Sequence, residues 1–199
     1  MKKKLMFVAM ALSVAVLFSS CGKVPQAEID AAFAALDSAK MAGADVYLAD
    51  EYSALQDSMK AITESVEAQK SKFFASYGPI KEKLAKVNEQ AVAAVARTEA
   101  RKEEVKQEIA ALQAEVTTLQ TQNNELVAKA PKGKEGKAAL EAIKADIALI
   151  DNTMGEVGTQ AAAGDLMGAL DKAKAAKEKA TAINTELNEV VAKYAKGQK

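Results

Sequence analysis

Residues 80–128 contain neither proline nor glycine, and this uninterrupted stretch constrains the fold more than any other part of the chain. Apolar residues recur in it at steps of three and four, in two runs: Ile80, Leu84, Val87, Ala91 and Ala94, then Val105, Ile109, Leu112, Val116, Leu119 and Leu126. This spacing is typical of an amphipathic helix that packs by heptads. It predicts one helix of about 50 residues and an all-α fold.

The two apolar runs are out of phase by four residues between Thr98 and Lys102. An insertion of four residues into a heptad pattern is a stutter, which locally unwinds a left-handed supercoil. Charged side chains cluster at the same point, and we interpret them as a solvated face: Glu99, Arg101, Lys102, Glu103 and Glu104.

Two partners compete for the second apolar run. Asn123 shares one heptad position with Ile109 and Val116, while leucines fill the other, a pattern typical of a parallel two-stranded coiled coil. A second apolar series follows a tip at residues 130–136: Leu140, Ile143, Ile147, Ile150, Met154 and Val157. Because a short connection keeps this segment at high local concentration, we favour an antiparallel coiled-coil hairpin over residues 79–162. A monomer is then favoured over the parallel dimer, and the Asn123 amide should reach water near the tip.

A shorter helical hairpin is predicted for residues 27–78. Pro25 opens its first helix, and a second helix from about Asp50 keeps an apolar face to Tyr77, apart from a seven-residue gap after Val66. Gly78-Pro79 should end it. Six of the seven aromatic residues after residue 20 lie in this segment, which predicts the best-packed core there; a platform for a carbohydrate or aromatic ligand is the alternative.

The last segment, residues 163–199, is predicted to be a helix that packs back on the hairpin. Gly155 and Gly158 weaken the preceding helix, which could bend or stop there. Gly164-Asp165 makes a further break, with Asp165 as the N-cap of the last helix. The whole is an elongated helical bundle.

The N-terminus has the organisation of a secretory signal. Three lysines precede an apolar run from Leu5 to Phe18, then two serines and Cys21, the single cysteine of the chain. The run is too short for a comfortable membrane span, so residues 1–20 are predicted to be a signal peptide. Cys21 after small residues resembles the lipobox of bacterial lipoproteins, although Phe18 departs from its usual aliphatic residue. An uncleaved anchor with a buried thiol is the alternative.

The lipobox resemblance implies that Cys21 is acylated and that residues 21–26 are a lipid-anchored tether. By analogy with Gram-negative lipoproteins, Gly22 after the cysteine favours the outer membrane, facing the periplasm. Several acyl chains would hold the protein on a membrane almost permanently, whereas one would not.

A second resemblance covers residues 26–70. Ala42-Gly43-Ala44-Asp45, followed by Tyr47 and Glu51, is similar to a pattern in an uncharacterised family of small helical bacterial envelope lipoproteins. In place of that family's Ala-Pro step this chain has Leu48-Ala49-Asp50, so Asp50 should cap the second helix. The resemblance implies location and helical form, and no activity.

The composition argues against several functions. Histidine is absent and the single cysteine is assigned to lipid, so imidazole bases, thiol nucleophiles and zinc sites are not expected. We predict no catalytic, cofactor or metal site. Beyond residue 20 the chain has 24 basic and 27 acidic residues, which argues against nucleic-acid binding.

A lipid-anchored, non-enzymatic structural spacer or scaffold in the periplasm is therefore expected. The alternative is an adaptor module that binds an envelope protein or a small ligand. A minor alternative comes from the C-terminal Tyr194-Ala195-Lys196-Gly197-Gln198-Lys199, which resembles the tail of the major murein lipoprotein. That resemblance implies attachment of Lys199 to peptidoglycan.

Overall fold

The computed structural model describes residues 23–131 and 134–197, which form helices and turns without any strand. The helices are α1 (Gln26–Met41), α2 (Ala44–Tyr47), α3 (Ala49–Lys70), α4 (Gly78–Lys129), α5 (Lys134–Ala162) and α6 (Leu166–Gly197). This confirms the predicted all-α helical bundle. The chain divides into two compact units after Glu99, so α4 contributes residues 78–99 to unit 1 and residues 100–129 to unit 2.

In unit 1, α1, α3 and the first part of α4 share one apolar core. α1 ends where Gly43 takes a φ of 94°, a left-handed conformation that glycine adopts without strain, and its N–H donates to the Lys40 carbonyl. The chain then reverses through α2. The buried core side chains are small and aliphatic, with two tyrosines: Ala32, Ala35, Leu36, Ala39, Ala44, Tyr52, Leu55, Met59, Ile62, Val66, Tyr77, Ile80, Leu84, Val87, Ala91 and Ala94.

The prediction for the end of the second helix was wrong. α3 ends at Lys70, before the Gly78-Pro79 step, and residues 71–77 form a loop. Tyr77 is buried, but Phe73 and Phe74 are almost fully exposed. Phe73 and Phe74 therefore lie outside the core of unit 1, to which the aromatic residues were assigned. Asp50 is not the cap either, because it lies in the first turn of α3 and the N-cap residue is Leu48.

α4 is one helix of 52 residues, as its sequence predicts. Its buried positions include Thr98, whose hydroxyl donates to the Ala94 carbonyl at 2.8 Å. In the predicted solvated cluster, Glu103 and Glu104 are exposed, but Arg101 and Lys102 are half-buried. The cationic stems therefore cover part of the helix surface.

In unit 2, residues 100–129 of α4 form an antiparallel hairpin with α5, whereas the prediction began the hairpin at residue 79; residues 78–99 pack in unit 1 instead. The Gln120 side-chain amide on α4 donates to the Ile147 carbonyl on α5 at 2.8 Å. α6 packs against α5, where Lys179 pairs with Asp146 at 2.6 Å, and it contacts α4 through the hydrogen bond from the Asn123 amide to the Ala180 carbonyl. The core of this unit is also mainly aliphatic: Val116, Val127, Ala130, Leu140, Ile143, Ile147, Ile150, Ala176, Ala180, Ile183 and Leu187.

The turn between α5 and α6 follows the predicted chemistry. α5 continues through Gly155 and Gly158 and ends at Ala162. Gly164 then takes a φ of 92°, and the Asp165 N–H donates back to the Gln160 carbonyl, which makes a Schellman motif. The Asp165 carboxylate accepts the Gly168 N–H at 3.0 Å, as expected of the N-cap of α6.

Candidate functional site

The two residues predicted to carry covalent attachment, Cys21 and Lys199, lie outside the described residues. The packed part of unit 1 nevertheless begins close to Cys21 in sequence. Val24 packs partly buried against the core of unit 1, and Pro25 is buried at the start of α1. Three residue steps span at most about 11 Å, so the Cα atom of Cys21 lies within that distance of the Cα atom of Val24.

Three segments meet at the end of unit 1 where α1 begins. α3 runs back along α1 and ends at this end, and α4 starts from it, because Lys81 of α4 pairs with Glu28 of α1 at 2.9 Å. At the opposite end, Arg97 of α4 pairs with Glu51 at the start of α3. The loop of residues 71–77 therefore lies at the same end of unit 1 as Val24. We call this end the entry face, defined by residues 23–28, 70–77 and 81.

The loop of the entry face has an ordered backbone. The Gln69 backbone carbonyl accepts the Lys72 N–H at 3.0 Å, and the Gln69 side-chain oxygen accepts the Ser76 N–H at 3.3 Å. Tyr77 anchors the end of the loop in the core. Phe73 and Phe74 consequently point outward, 94% and 87% exposed, with their rings edge to face and their centroids 4.9 Å apart.

A groove of about 480 Å³ runs between α3 and α4 within unit 1. Small side chains form one wall, including Ala54, Ser58 and Ala61 of α3, while Lys83 and Lys86 of α4 stand on the other. The groove can accept an elongated apolar group next to positive charge.

A smaller groove of about 310 Å³ lies between α1 and α3, with Phe33 and Tyr52 in its wall. Burial raises the pKa of Tyr52, and the nearby carboxylates of Asp45 and Asp37 raise it further. The phenol therefore stays protonated at neutral pH and acts as a core side chain. Phe33 is only half-exposed and Tyr52 is buried, so these two residues do not present an open stacking platform.

The Glu28–Lys81 ion pair should make the entry face sensitive to acid. The Lys81 ammonium hydrogen-bonds to Glu28 and lowers the pKa of that carboxyl. A lowered folded-state pKa means that the pair stabilises the fold above the unfolded pKa and that this contribution is lost as the pH falls through the folded pKa. Both side chains are 35% exposed, so water limits the effect.

We therefore expect Glu28→Gln to lower the free energy of unfolding by up to about 1 kcal/mol at pH 7 and by much less near pH 3. Urea unfolding of the variant and the wild type at the two pH values measures this difference. Glu82→Gln is the control, since Glu82 is exposed on α4 and forms no ion pair with any described residue. Equal losses for the two variants at pH 7 would contradict a stabilising role for the pair.

A polar cluster lies inside unit 2, and it corrects the expectation for Asn123. The side chain is fully buried, and no water reaches its amide. Its amide nitrogen donates to the Ala180 carbonyl of α6 at 3.0 Å, and its oxygen accepts from the Asn184 amide at 2.9 Å. α6 covers this position. The prediction considered only the hairpin of α4 and α5 and so left the Asn123 amide in water. The cluster ties α4 to α6.

Among the described residues, no group of histidine, cysteine, aspartate and glutamate side chains is placed to hold a metal ion. A search of the same residues for an apolar helix of membrane-spanning length finds none. Comparison of the chain with protein-family models, with curated proteins and with solved structures finds no match.

Proposed function

We propose that the chain is a non-enzymatic envelope lipoprotein, acylated at Cys21, whose helical units act as a spacer or scaffold in the periplasm. The proposed membrane is the outer membrane and the proposed partner is another envelope protein. The main support is the composition of residues 1–21, which combines lysines, an apolar run of limited length and one cysteine.

One structural observation supports this proposal more than any other. Only two residues, Gly22 and Lys23, separate Cys21 from Val24, which already packs against the core of unit 1. A lipid at Cys21 would therefore restrain a folded unit directly, instead of holding it on a long flexible chain. Such a short connection is suited to a protein that must present its helical surfaces at a fixed place on the membrane.

An adaptor that binds an apolar partner segment is the second candidate, and the groove between α3 and α4 favours it. Its small residues leave space for an added helix or chain, and its lysines could pair with an acidic partner. This candidate also needs the lipid anchor, so the same first experiment applies to both. Peptidoglycan attachment through Lys199 stays a separate prediction.

Metabolic labelling with palmitate tests the anchor. The chain should incorporate label into the membrane fraction, and Cys21→Ser should abolish labelling because the thiol that carries the lipid is gone. Ser19→Ala is the matched control, since it changes a neighbouring residue and keeps the thiol. Label that persists in Cys21→Ser would refute the proposed anchor.

A further inference from the structure

We propose that the entry face of unit 1 is a membrane-docking surface, and that Phe73 and Phe74 insert into the interface of a bilayer that contains anionic phospholipid. The inference rests on the proposed function in that it takes the membrane of the lipid anchor as the surface. It adds a second, non-covalent contact between the folded protein and that membrane.

The first argument is the exposure of the two phenylalanines. Single exposed apolar residues are common, but two adjacent aromatic rings at 94% and 87% exposure leave a large apolar area in water. The core of unit 1 contains no phenylalanine, so the fold does not need these side chains. The two hydrogen bonds to Gln69 restrain the loop backbone, which reduces the conformational entropy lost when the rings are buried by a partner.

The second argument is charge. Lys70 and Lys72 precede the phenylalanines in the chain, and Lys23 precedes Val24 at the same end. Lys23 and Lys72 are exposed and form no ion pair with any described residue, whereas Lys70 pairs with Glu67. Unpaired lysines beside exposed aromatic rings match a surface of phosphate headgroups over hydrocarbon.

The third argument is position. The loop and Val24 lie at the same end of unit 1, and Val24 is at most about 11 Å along the chain from Cys21. An acyl group on Cys21 would thus hold the phenylalanines near the bilayer surface at high effective concentration, so even a weak contact would form. A protein pocket could also accept two aromatic rings, but the position of the loop beside the anchor favours the membrane.

The absence of tryptophan from the chain allows a direct test. Phe74→Trp places one fluorophore in the loop, and Val92→Trp places a matched one at an exposed apolar position of α4 in the same unit. The whole protein, purified from membranes with its own N-terminus, is bound to vesicles of phosphatidylcholine and phosphatidylglycerol with brominated acyl chains. Circular dichroism of both variants checks that the helices are retained.

We expect the emission of the Phe74→Trp variant to shift to shorter wavelength and to be quenched by the brominated chains, while the Val92→Trp variant stays unquenched. Adding Lys72→Gln should lower the equilibrium constant for insertion of the loop about fivefold. High salt should have the same effect, because it screens the attraction between lysine and phospholipid. Vesicles of phosphatidylcholine alone should quench less than those with phosphatidylglycerol.

The possible results separate this inference from the lipid anchor. A protein that floats with the vesicles but whose Phe74→Trp variant is not quenched would overturn the docking surface and leave the anchor standing. Quenching in a protein that mass spectrometry shows to lack an acyl group would support the docking surface and refute the anchor. Absence of both flotation and quenching would overturn both.

Discussion

Replacing Asn123 by aspartate should lower the free energy of unfolding by about 3 kcal/mol at pH 7. The position is fully buried, so a carboxylate there would lose its hydration. It could still accept from Asn184, but its second oxygen would face the Ala180 carbonyl, to which the native amide donates at 3.0 Å. The loss should shrink in acid, because a protonated carboxyl can donate to that carbonyl.

Asn123→Leu is the matched variant, since leucine has the same number and branching of side-chain heavy atoms and suits the aliphatic core of unit 2. Removing a buried polar group in favour of an apolar one of like shape is often nearly neutral, and Asn184 is only partly buried and can turn to water. We expect a change within about 1 kcal/mol. Chemical denaturation of the two variants measures the contrast.

Two outcomes would contradict this account of Asn123. A cost below about 0.5 kcal/mol for Asn123→Asp would mean that the position is exposed to water, as the sequence alone suggested. A wild-type dimer in light scattering that dissociates in Asn123→Lys would instead assign the residue to a parallel coiled coil between two chains.

Leu84→Ala should lower the free energy of unfolding of unit 1 by about 2–5 kcal/mol. Leu84 is fully buried on α4 and belongs to the core shared with α1 and α3. Its replacement by alanine removes three heavy atoms from close-packed surroundings and leaves a cavity. Because α4 packs against both α1 and α3 here, it cannot easily move to close that cavity. Thermal and urea unfolding monitored by circular dichroism measure the loss.

Val92→Ala is the control for that experiment, because it truncates an apolar side chain on the same helix at a position that is 59% exposed. Its effect should stay within about 0.5 kcal/mol, since alanine has the better helix propensity and little burial is lost. Similar losses in both variants would show that α4 is not packed in unit 1 as described.

The helical fold could be predicted because its causes are local in sequence. The stretch after Pro79 lacks helix breakers, and its apolar spacing gives α4 as one helix of 52 residues. Gly164 and Asp165 are the residues that a Schellman end and an N-cap require, so that turn was predicted to the residue. The short tip made α5 the nearest partner of α4.

The features that were predicted wrongly depend on contacts between distant parts of the chain. Asn123 is buried because α6 covers it, and no spacing within α4 reveals that third partner. α3 stops at Lys70 although apolar residues continue, because the chain must turn to start α4. The seven-residue gap between Val66 and Phe73 was the available signal that the helical face had ended.

The candidate site could be predicted only in part. Lipidation of Cys21 stays a prediction, made from the leader that precedes it, since covalent lipidation is directed by a short contiguous sequence. The entry face was missed, because it needs the start of α1, the end of α3 and the start of α4 to be brought together. Phe73 and Phe74 were assigned to the core on composition, whereas the loop turns them outward.

The central claim is that the folded chain is held on a membrane by a lipid at Cys21. Mass spectrometry of the N-terminal fragment, taken from the protein extracted from membranes, tests it most directly. The account predicts a fragment that begins at Cys21 and carries the added mass of acyl chains. A fragment without acyl chains, or one cut at another residue, would contradict it.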